Sequence, residues 1–301
     1  MQFHQVYYDL LSRLLVKDCV ERNERTGKGV SILRGAEFFK LDMTEILPTP
    51  GLRKVWPKVA AAETAWQLMG HNDLSWLGKH TKMWDAFADS EPCPCACHYG
   101  PGRIGSEENC QSCTGTGTVM KLDFAYGYRW RKQFGRDQVA MAMAALKKNP
   151  SDRRVWLSAW HPGIDGLGAP KQKNVPCPVG FSLNVVGGQL HMAVAIRSSD
   201  VFVGLPYDVM NYAMLYEVFR RELDAKYGTM AFTLSNAHLY EDHFEMATIA
   251  CCQTPVTPQV LLSTTGLAWV VSNPDVFVDY YASSSRTKVW PTFAPKPAVA
   301  L

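Results

Sequence analysis

Asn174-Val175-Pro176-Cys177-Pro178-Val179-Gly180-Phe181 sets one cysteine behind a proline. Twenty residues after that cysteine begins Arg197-Ser198-Ser199-Asp200-Val201-Phe202-Val203-Gly204-Leu205-Pro206-Tyr207-Asp208, an arginine followed by an aspartate at the end of a Gly-Leu-Pro turn. Cys177 reads as a nucleophile. Arg197 reads as a phosphate ligand whose positive charge also favours the thiolate over the thiol.

The flanking pattern supplies a frame for these groups. Apolar runs at 180–185 and 189–196 flank Val186-Gly187-Gly188, which predicts a β-hairpin with a turn longer than two residues. Val209 to Tyr227 is mostly apolar and reads as a helix, and Thr229 to Leu234 as a strand that runs into Ser235-Asn236-Ala237-His238-Leu239-Tyr240. Upstream, helical spacing covers residues 3–22, 55–69, 72–84 and 137–148, with strands over 30–33, 38–46 and 155–160. The remainder, to Leu301, reads as strand-like and irregular. No long repeat and no obvious linker divides the chain, so 1–301 is expected to be one α/β domain carrying a single insertion at 90–119.

Bulk properties bound the function. At 301 residues and 47% hydrophobic composition the chain can bury a large core. A net charge of +3 offers no general polyanion-binding surface. No apolar run reaches the roughly 18 residues of a membrane span, and the start lacks a signal-peptide pattern, so a cytoplasmic enzyme without membrane contact is expected.

Five of the nine cysteines lie between Cys93 and Cys113. Two knuckles repeat one pattern there: Cys95-x-x-His98-x-Gly-x-Gly and Cys110-x-x-Cys113-x-Gly-x-Gly. Four ligands in two pairs suit a closed, structural tetrahedral zinc site at Cys95, His98, Cys110 and Cys113, with Cys93 and Cys97 able to replace one of them. The half-repeat resembles the zinc repeats of DnaJ-type chaperones, over these residues only. A second reading makes the module a zinc-dependent nucleic-acid reader on an inert scaffold, which the near-neutral charge disfavours.

Two further residues carry alternatives. Arg25-Thr26-Gly27-Lys28-Gly29 reads first as a hairpin turn, and its glycines and arginine could also hold a phosphate. Glu63 lies among Ala60, Ala61, Ala62 and Ala65. A lone glutamate usually faces solvent, whereas burial in so apolar a neighbourhood would raise its pKa and suit proton transfer.

Taken in order, these blocks resemble the thymidylate synthase family, which includes the phage-type dCMP hydroxymethylases. The matching blocks are Arg25-Thr26-Gly27, the helix with Glu63, Trp84-Asp85, Tyr126-Gly127, Ser151 to Arg154 with Ser158-Ala159-Trp160, Pro176-Cys177, Arg197 to Val201, Gly204-Leu205-Pro206 and Ala237 to Tyr240. The apolar tail 297–301 adds to them. The resemblance implies a large mixed sheet packed at a homodimer interface and covered by helices. It implies that Cys177 attacks carbon 6 of a pyrimidine nucleotide, making carbon 5 nucleophilic. Arg25, Arg197 and Ser198 would bind the phosphate, with Arg153 and Arg154 reaching it from the other subunit. His238 and Tyr240 would contact the sugar, and Glu63 would organise proton transfers. Trp84, Asp200 and Leu301 would border 5,10-methylenetetrahydrofolate.

The departures from that pattern decide the expected base. Asp208 stands where thymidylate synthases carry an asparagine. An ionised carboxylate only accepts hydrogen bonds, so it repels the 4-oxo group of uracil and fits the 4-amino group of cytosine. Pro178 replaces the histidine that usually follows the nucleophile. Ile196, Ser182 and Asn236 also depart from the family residues. The expected activity is C5 hydroxymethylation of dCMP for modified DNA. The alternatives are dCMP C5 methylation and action on dUMP.

Overall fold

The computed structural model describes residues 1–17, 19–24, 26–95, 110, 113, 116–167, 175–256 and 259–286. Arg25, Cys97, His98 and Leu301 lie outside the described residues.

The first helix, α1, spans Phe3–Leu15 and buries the stripe Phe3, Val6, Tyr7, Leu10, Leu11 and Leu14. It is shorter than the expected 3–22. The stripe ends at Leu15, Lys17 adopts a left-handed φ of 60°, and the chain returns as strand β1, Val20–Arg22. Strands β2 (Gly29–Ile32) and β3 (Glu37–Asp42) follow. Helix α2, Pro57–Met69, starts on a proline in its first turn and stops at Gly70, whose φ of 65° ends the helix. Residues 72–84 do not form the expected helix. The Asp73 carboxylate accepts from the N–H and hydroxyl of Ser75, Leu74 N–H donates to Met120, and only a single 3-10 turn forms at Leu77–Lys79.

A two-stranded ribbon then leaves the body: β4 (Asp89–Pro92) pairs antiparallel with β5 (Thr118–Lys121). Helix α3 is short, Tyr126–Tyr128, and continues as a π-helical turn, Arg129–Gln133. Gly127 is required there, because a Cβ would lie 2.1 Å from the Gln67 carbonyl oxygen of α2. Helix α4, Gln138–Lys148, is capped by Asp137, which accepts from Ala140 N–H at 2.9 Å.

Strands β6 (Trp156–Ser158), β7 (Pro178–Val186) and β8 (Gln189–Ile196) are successive antiparallel neighbours. Their second connection is tighter than expected. Val186 pairs with Gln189, and the two glycines between them, with φ of 58° and 76°, make a two-residue turn that suits the strand twist. After the short β9 (Ser199–Asp200) comes α5, Gly204–Glu222, then β10 (Lys226–Leu234) and β11 (Ala237–Tyr240). The region expected to be strand-like is helical: α6 (Phe244–Cys251), α7 (Leu267–Ser272) and α8 (Pro274–Arg286). Buried Phe277, Val278, Tyr281 and Ala282 give α8 a helical stripe that packs on α2. The Thr- and Pro-rich stretch before it obscured that period.

The large sheet runs β3-β10-β8-β7-β6, mixed because β10 and β8 are parallel. One face carries Phe39, Phe232, Val194 and Phe181, and α5 covers it with Tyr212 and Phe219. Ring centroids of Phe181 lie 5.6 Å from Tyr212 and 6.1 Å from Phe219. The opposite face is populated by small residues, Ala193, Ala195, Ser182, Ala231 and Thr233, and is edged by exposed Phe38 and Trp156. A smaller sheet, β1-β2-β11-β9, lies beyond the end of the first. Two strand pairs cross from one sheet to the other: β8 to β9 through Arg197-Ser198, and β10 to β11 through Ser235-Asn236. Cys177, at the start of β7, opens at the same end, because Pro178 pairs with Ile196. Among the described residues no helix is long and apolar enough to cross a membrane.

Candidate active site

The sheet crossing brings the nucleophile candidate and its arginine together. Arg197 N–H donates to the Cys177 carbonyl at 2.9 Å. Its guanidinium donates from Nε to Pro176 O at 2.8 Å and from Nη2 to Val175 O at 3.1 Å. The same group lies over the Trp160 ring, 5.6 Å from its centroid. Arg197 thus clamps the turn that presents Cys177, and Nη1 makes no hydrogen bond among the described residues. That edge stays open to an anion.

On the other side, Cys177 backbone N–H donates to the hydroxyl of Tyr126, the first residue of α3. Burial holds that phenol well above its usual pKa, and the neighbouring Cys177 and Asp208 add to the shift. Tyr126 therefore stays protonated and offers one donor and one acceptor beside the thiol.

Two carboxyls complete the centre. Glu63 is buried on α2, which decides between its two readings, and accepts from Trp84 Nε1 at 2.8 Å. Burial pushes its pKa up to about 7, opposed by the Trp84 hydrogen bond. Asp208 lies in the second turn of α5. The residue keeps some exposed surface, but its carboxyl is densely surrounded. Burial first, then the Glu63 and Asp200 carboxylates, push it up to about 8. Two carboxyls with pKa raised chiefly by burial hold a proton near neutrality, where general acid–base exchange is most effective. One turn further on, the buried Tyr212 hydroxyl has no hydrogen-bond partner among the described residues and neighbours Asp208. A thiol, two protonatable carboxyls and two tyrosines thus meet at one sheet end.

The thymidylate synthase family model matches residues 5–289. The chain belongs to the thymidylate synthase family. Its members are one-carbon transferases acting at carbon 5 of a pyrimidine nucleotide with methylenetetrahydrofolate, and this chain is an enzyme of that class. The mixed sheet under α5 and α2 is the thymidylate synthase fold.

The remaining predicted residues fall into three groups. His238, buried on β11, bonds through Nδ1 to Asn236 Oδ1 at 3.0 Å, which fixes the ring, and it meets Tyr240 edge-on at 5.3 Å. Ser198 is half-buried in the β8–β9 crossing, beside Ser199, whose buried hydroxyl has no partner among the described residues. Asp200 uses Oδ1 to accept from Phe202 N–H at 3.1 Å and Val203 N–H at 3.0 Å, which holds the turn into α5. Arg153 and Arg154 are exposed before β6, near the far end of β7, where Val185 N–H bonds Pro150 O. About 25 Å of strand separates that end from Cys177, so these arginines do not join the pocket of their own chain. Arg154 pairs locally with Asp152 at 2.8 Å.

Trp84 is suited to a flat folate ring. It is half-buried, anchored by its bond to Glu63, and flanked by Phe87, Phe124 and Tyr126 at centroid distances of 5.9, 5.9 and 6.3 Å.

Part of the expected metal-ligand set comes together. The sulfurs of Cys93, Cys110 and Cys113 lie within 4.8 Å of one another, all three buried. Cys95 packs against this trio, while His98 and Cys97 lie outside the described residues. Cys93, the alternate ligand of the sequence reading, is a member of the trio. The strand ladder explains this, because Cys93 N–H bonds Gly117 O at 2.8 Å and so continues the ribbon.

Arg53 and Arg129, both buried, carry no signal in the sequence. Arg53 donates to Phe202 O at 2.7 Å and to the Tyr7 hydroxyl at 3.1 Å, fixing the loop ahead of α5. Arg129 forms a two-pronged pair with Asp165, at 2.5 and 3.0 Å, and also bonds Ala159 O. Each sits in a stretch with other cations (Arg53-Lys54, Arg129 to Lys132), so nothing in the sequence distinguishes it from a surface arginine.

Proposed function

We propose that this enzyme hydroxymethylates carbon 5 of dCMP. The observation that carries this reading is Asp208, a carboxyl that neighbours the same Tyr126 hydroxyl as Cys177 and is pushed up to about 8. An ionised Asp208 would only accept hydrogen bonds, whereas burial favours its protonated form near neutrality. A protonated Asp208 donates its O–H to cytosine N3 and accepts from the 4-amino group, a matched two-bond pair. Proton donation to N3 withdraws electrons from carbon 6 as Cys177 adds there. The S–C6 bond forms, the C5–C6 π pair moves towards C5, and C5 becomes the nucleophile. Bound methylenetetrahydrofolate supplies the one-carbon unit at Trp84. Glu63, near its own pKa at neutrality, takes up or returns protons at the ring. C5 would bond the one-carbon unit, and loss of the C5 proton would accompany cleavage of that unit's C–N bond, with tetrahydrofolate leaving and taking up a proton. Water would then add its oxygen to the methylene left on C5 and give its proton to Glu63, the electron pair would return to C5=C6, and the C6–S bond would break to free the Cys177 thiolate with the hydroxymethyl product.

Several features support the surrounding assignments. Arg197 offers Nη1 to the phosphate. Ser198, His238 and Tyr240 line the crossing where phosphate and sugar would lie. Arg25 and Leu301 carry their family roles as expectations, for phosphate and cofactor respectively. The open sheet face of small residues fits a second copy of the chain, and Arg153 and Arg154 would then serve the partner's phosphate site.

A second reading, action on dUMP, is favoured by the same proton. A neutral carboxyl can donate to the uracil 4-oxo group and accept from N3–H. The cytosine reading is preferred because uracil already has an electron-accepting 4-carbonyl and gains little from an acid at that place. Release of tritium from 5-tritiated dCMP or dUMP, with methylenetetrahydrofolate present, tests the choice. Release from dCMP at a kcat/KM at least about 100-fold above that for dUMP is expected. The opposite ranking would overturn the assignment.

A further inference from the structure

Outside the nucleotide site, the densest group of metal-ligating side chains among the described residues lies at the end of the β4–β5 ribbon. We propose that Cys93, Cys110 and Cys113 are three ligands of a structural zinc ion, with Cys95 in the fourth position, and that this ion braces the aromatic wall of the active site.

The geometry of the sulfurs carries the first part. Four sulfurs about 2.3 Å from a tetrahedral zinc stand about 3.8 Å apart along each edge. Cys93 and Cys110 sulfurs are 3.7 Å apart, and all three lie within 4.8 Å. None of the three forms a disulfide among the described residues, and all are almost completely buried, together with Val119. Cys95 backbone N–H donates to the Cys93 sulfur, the hydrogen bond that stabilises a metal-bound thiolate. Cys95 is the one further thiol packed on the trio among the described residues. Four thiolates favour zinc over the hard divalent cations and leave no open coordination position.

The path of the chain carries the second part. The ribbon is tied to the body at its base. Leu74 N–H bonds Met120 O and Leu122 N–H bonds Asn72 O, while Lys121 and Glu91 pair across the strands at 2.5 Å. The two strands emerge on opposite sides of one aromatic cluster. Trp84 and Phe87 precede β4, whereas Phe124 and Tyr126 follow β5. Trp84 bonds Glu63, and Tyr126 bonds the backbone of Cys177. An isolated two-stranded ribbon is marginal in water. Closing its far end on a metal holds the strands in register, and with them the spacing between Trp84 and Tyr126.

The full-length protein, purified without chelator from zinc-supplemented cells, tests this by elemental analysis. About one zinc per chain is expected, falling at least about five-fold in Cys93→Ser and in Cys113→Ser and unchanged in Cys19→Ser. Wild-type protein with negligible zinc, or Cys93→Ser with full zinc, would overturn the site. Cobalt replacement should give the intense thiolate-to-cobalt absorption of a four-sulfur site, weakened in Cys95→Ser. A spectrum unchanged in that variant would remove Cys95 from the set. The bracing role is read on wild-type protein by hydrogen exchange. Chelation should raise exchange in 89–92, 118–126 and around Trp84, with recovery on zinc addition and no change in β10. Unchanged exchange around Trp84 and Tyr126 would show that the ion does not brace the wall.

Discussion

The same residue type is used in two opposed ways in this chain. Cys177 stands apart from other thiols, half-buried at a sheet end, between a clamped arginine and a buried tyrosine. Cys93, Cys110 and Cys113 turn inward on one another at the tip of a ribbon. The first environment suits a sulfur that forms and breaks a bond with carbon. The second suits sulfurs that share a metal, as proposed above. The difference lies in the partners: an arginine and a tyrosine hydroxyl on the backbone around Cys177, and neighbouring sulfurs within the trio. A cysteine's role is therefore read from the groups within a few ångströms of it.

Substitutions should separate the two environments cleanly. Cys177→Ala should lower kcat by about four orders of magnitude or more while leaving zinc content unchanged. A loss below tenfold would remove Cys177 as the nucleophile. Glu63→Gln keeps the Trp84 contact but cannot exchange a proton, and should cost about 10²- to 10⁴-fold in kcat with the pH profile flattened near 7. An unaltered profile would break that assignment. Asp208→Asn should move the dCMP-to-dUMP preference towards dUMP by at least about 100-fold in kcat/KM.

The two carboxyls also predict how stability depends on pH. Below about pH 4, folded and unfolded chains both hold these protons and nothing is lost. As pH rises towards 7 for Glu63 and 8 for Asp208, the unfolded chain has released its protons while the fold still binds them. Stability therefore declines across that window. Asp208→Asn removes its share, so its melting temperature should rise above wild type by about 2–5 °C at pH 8, with a smaller gap at pH 5. A gap that shrinks as pH rises would contradict a raised pKa. The smallest expected effect on chemistry belongs to the ribbon: Cys113→Ser should change kcat by less than about tenfold in the fraction that stays folded.

Candidate chemical residues are easier to read than those that hold them. Cys177, Arg197, Asp208 and His238 stand out because their motifs keep a fixed spacing along the chain, and Arg197 bonds Cys177 where β8 leaves the large sheet. The hairpin, α2, α4 and α5 were legible from period and punctuation, with Pro57, Gly70 and Asp137 marking ends. What failed depended on contacts distant in sequence. The segment at 72–84 is pinned by β5 instead of coiling into a helix. The helices after 243 take their stripe from packing on α2. Arg53 and Arg129 are buried by backbone carbonyls and a carboxylate that no local pattern reveals. The motif marks Asp208, yet its protonation follows first from burial in the folded chain and then from the Glu63 carboxylate, 145 positions earlier.

The most direct test is the product formed from dCMP. Purified enzyme incubated with dCMP and methylenetetrahydrofolate, with the nucleotide pool resolved by mass spectrometry, should yield 5-hydroxymethyl-dCMP carrying oxygen-18 when the reaction runs in oxygen-18 water. Turnover of dUMP alone, with dCMP recovered unchanged, would contradict the reading of Asp208 on which the assignment rests.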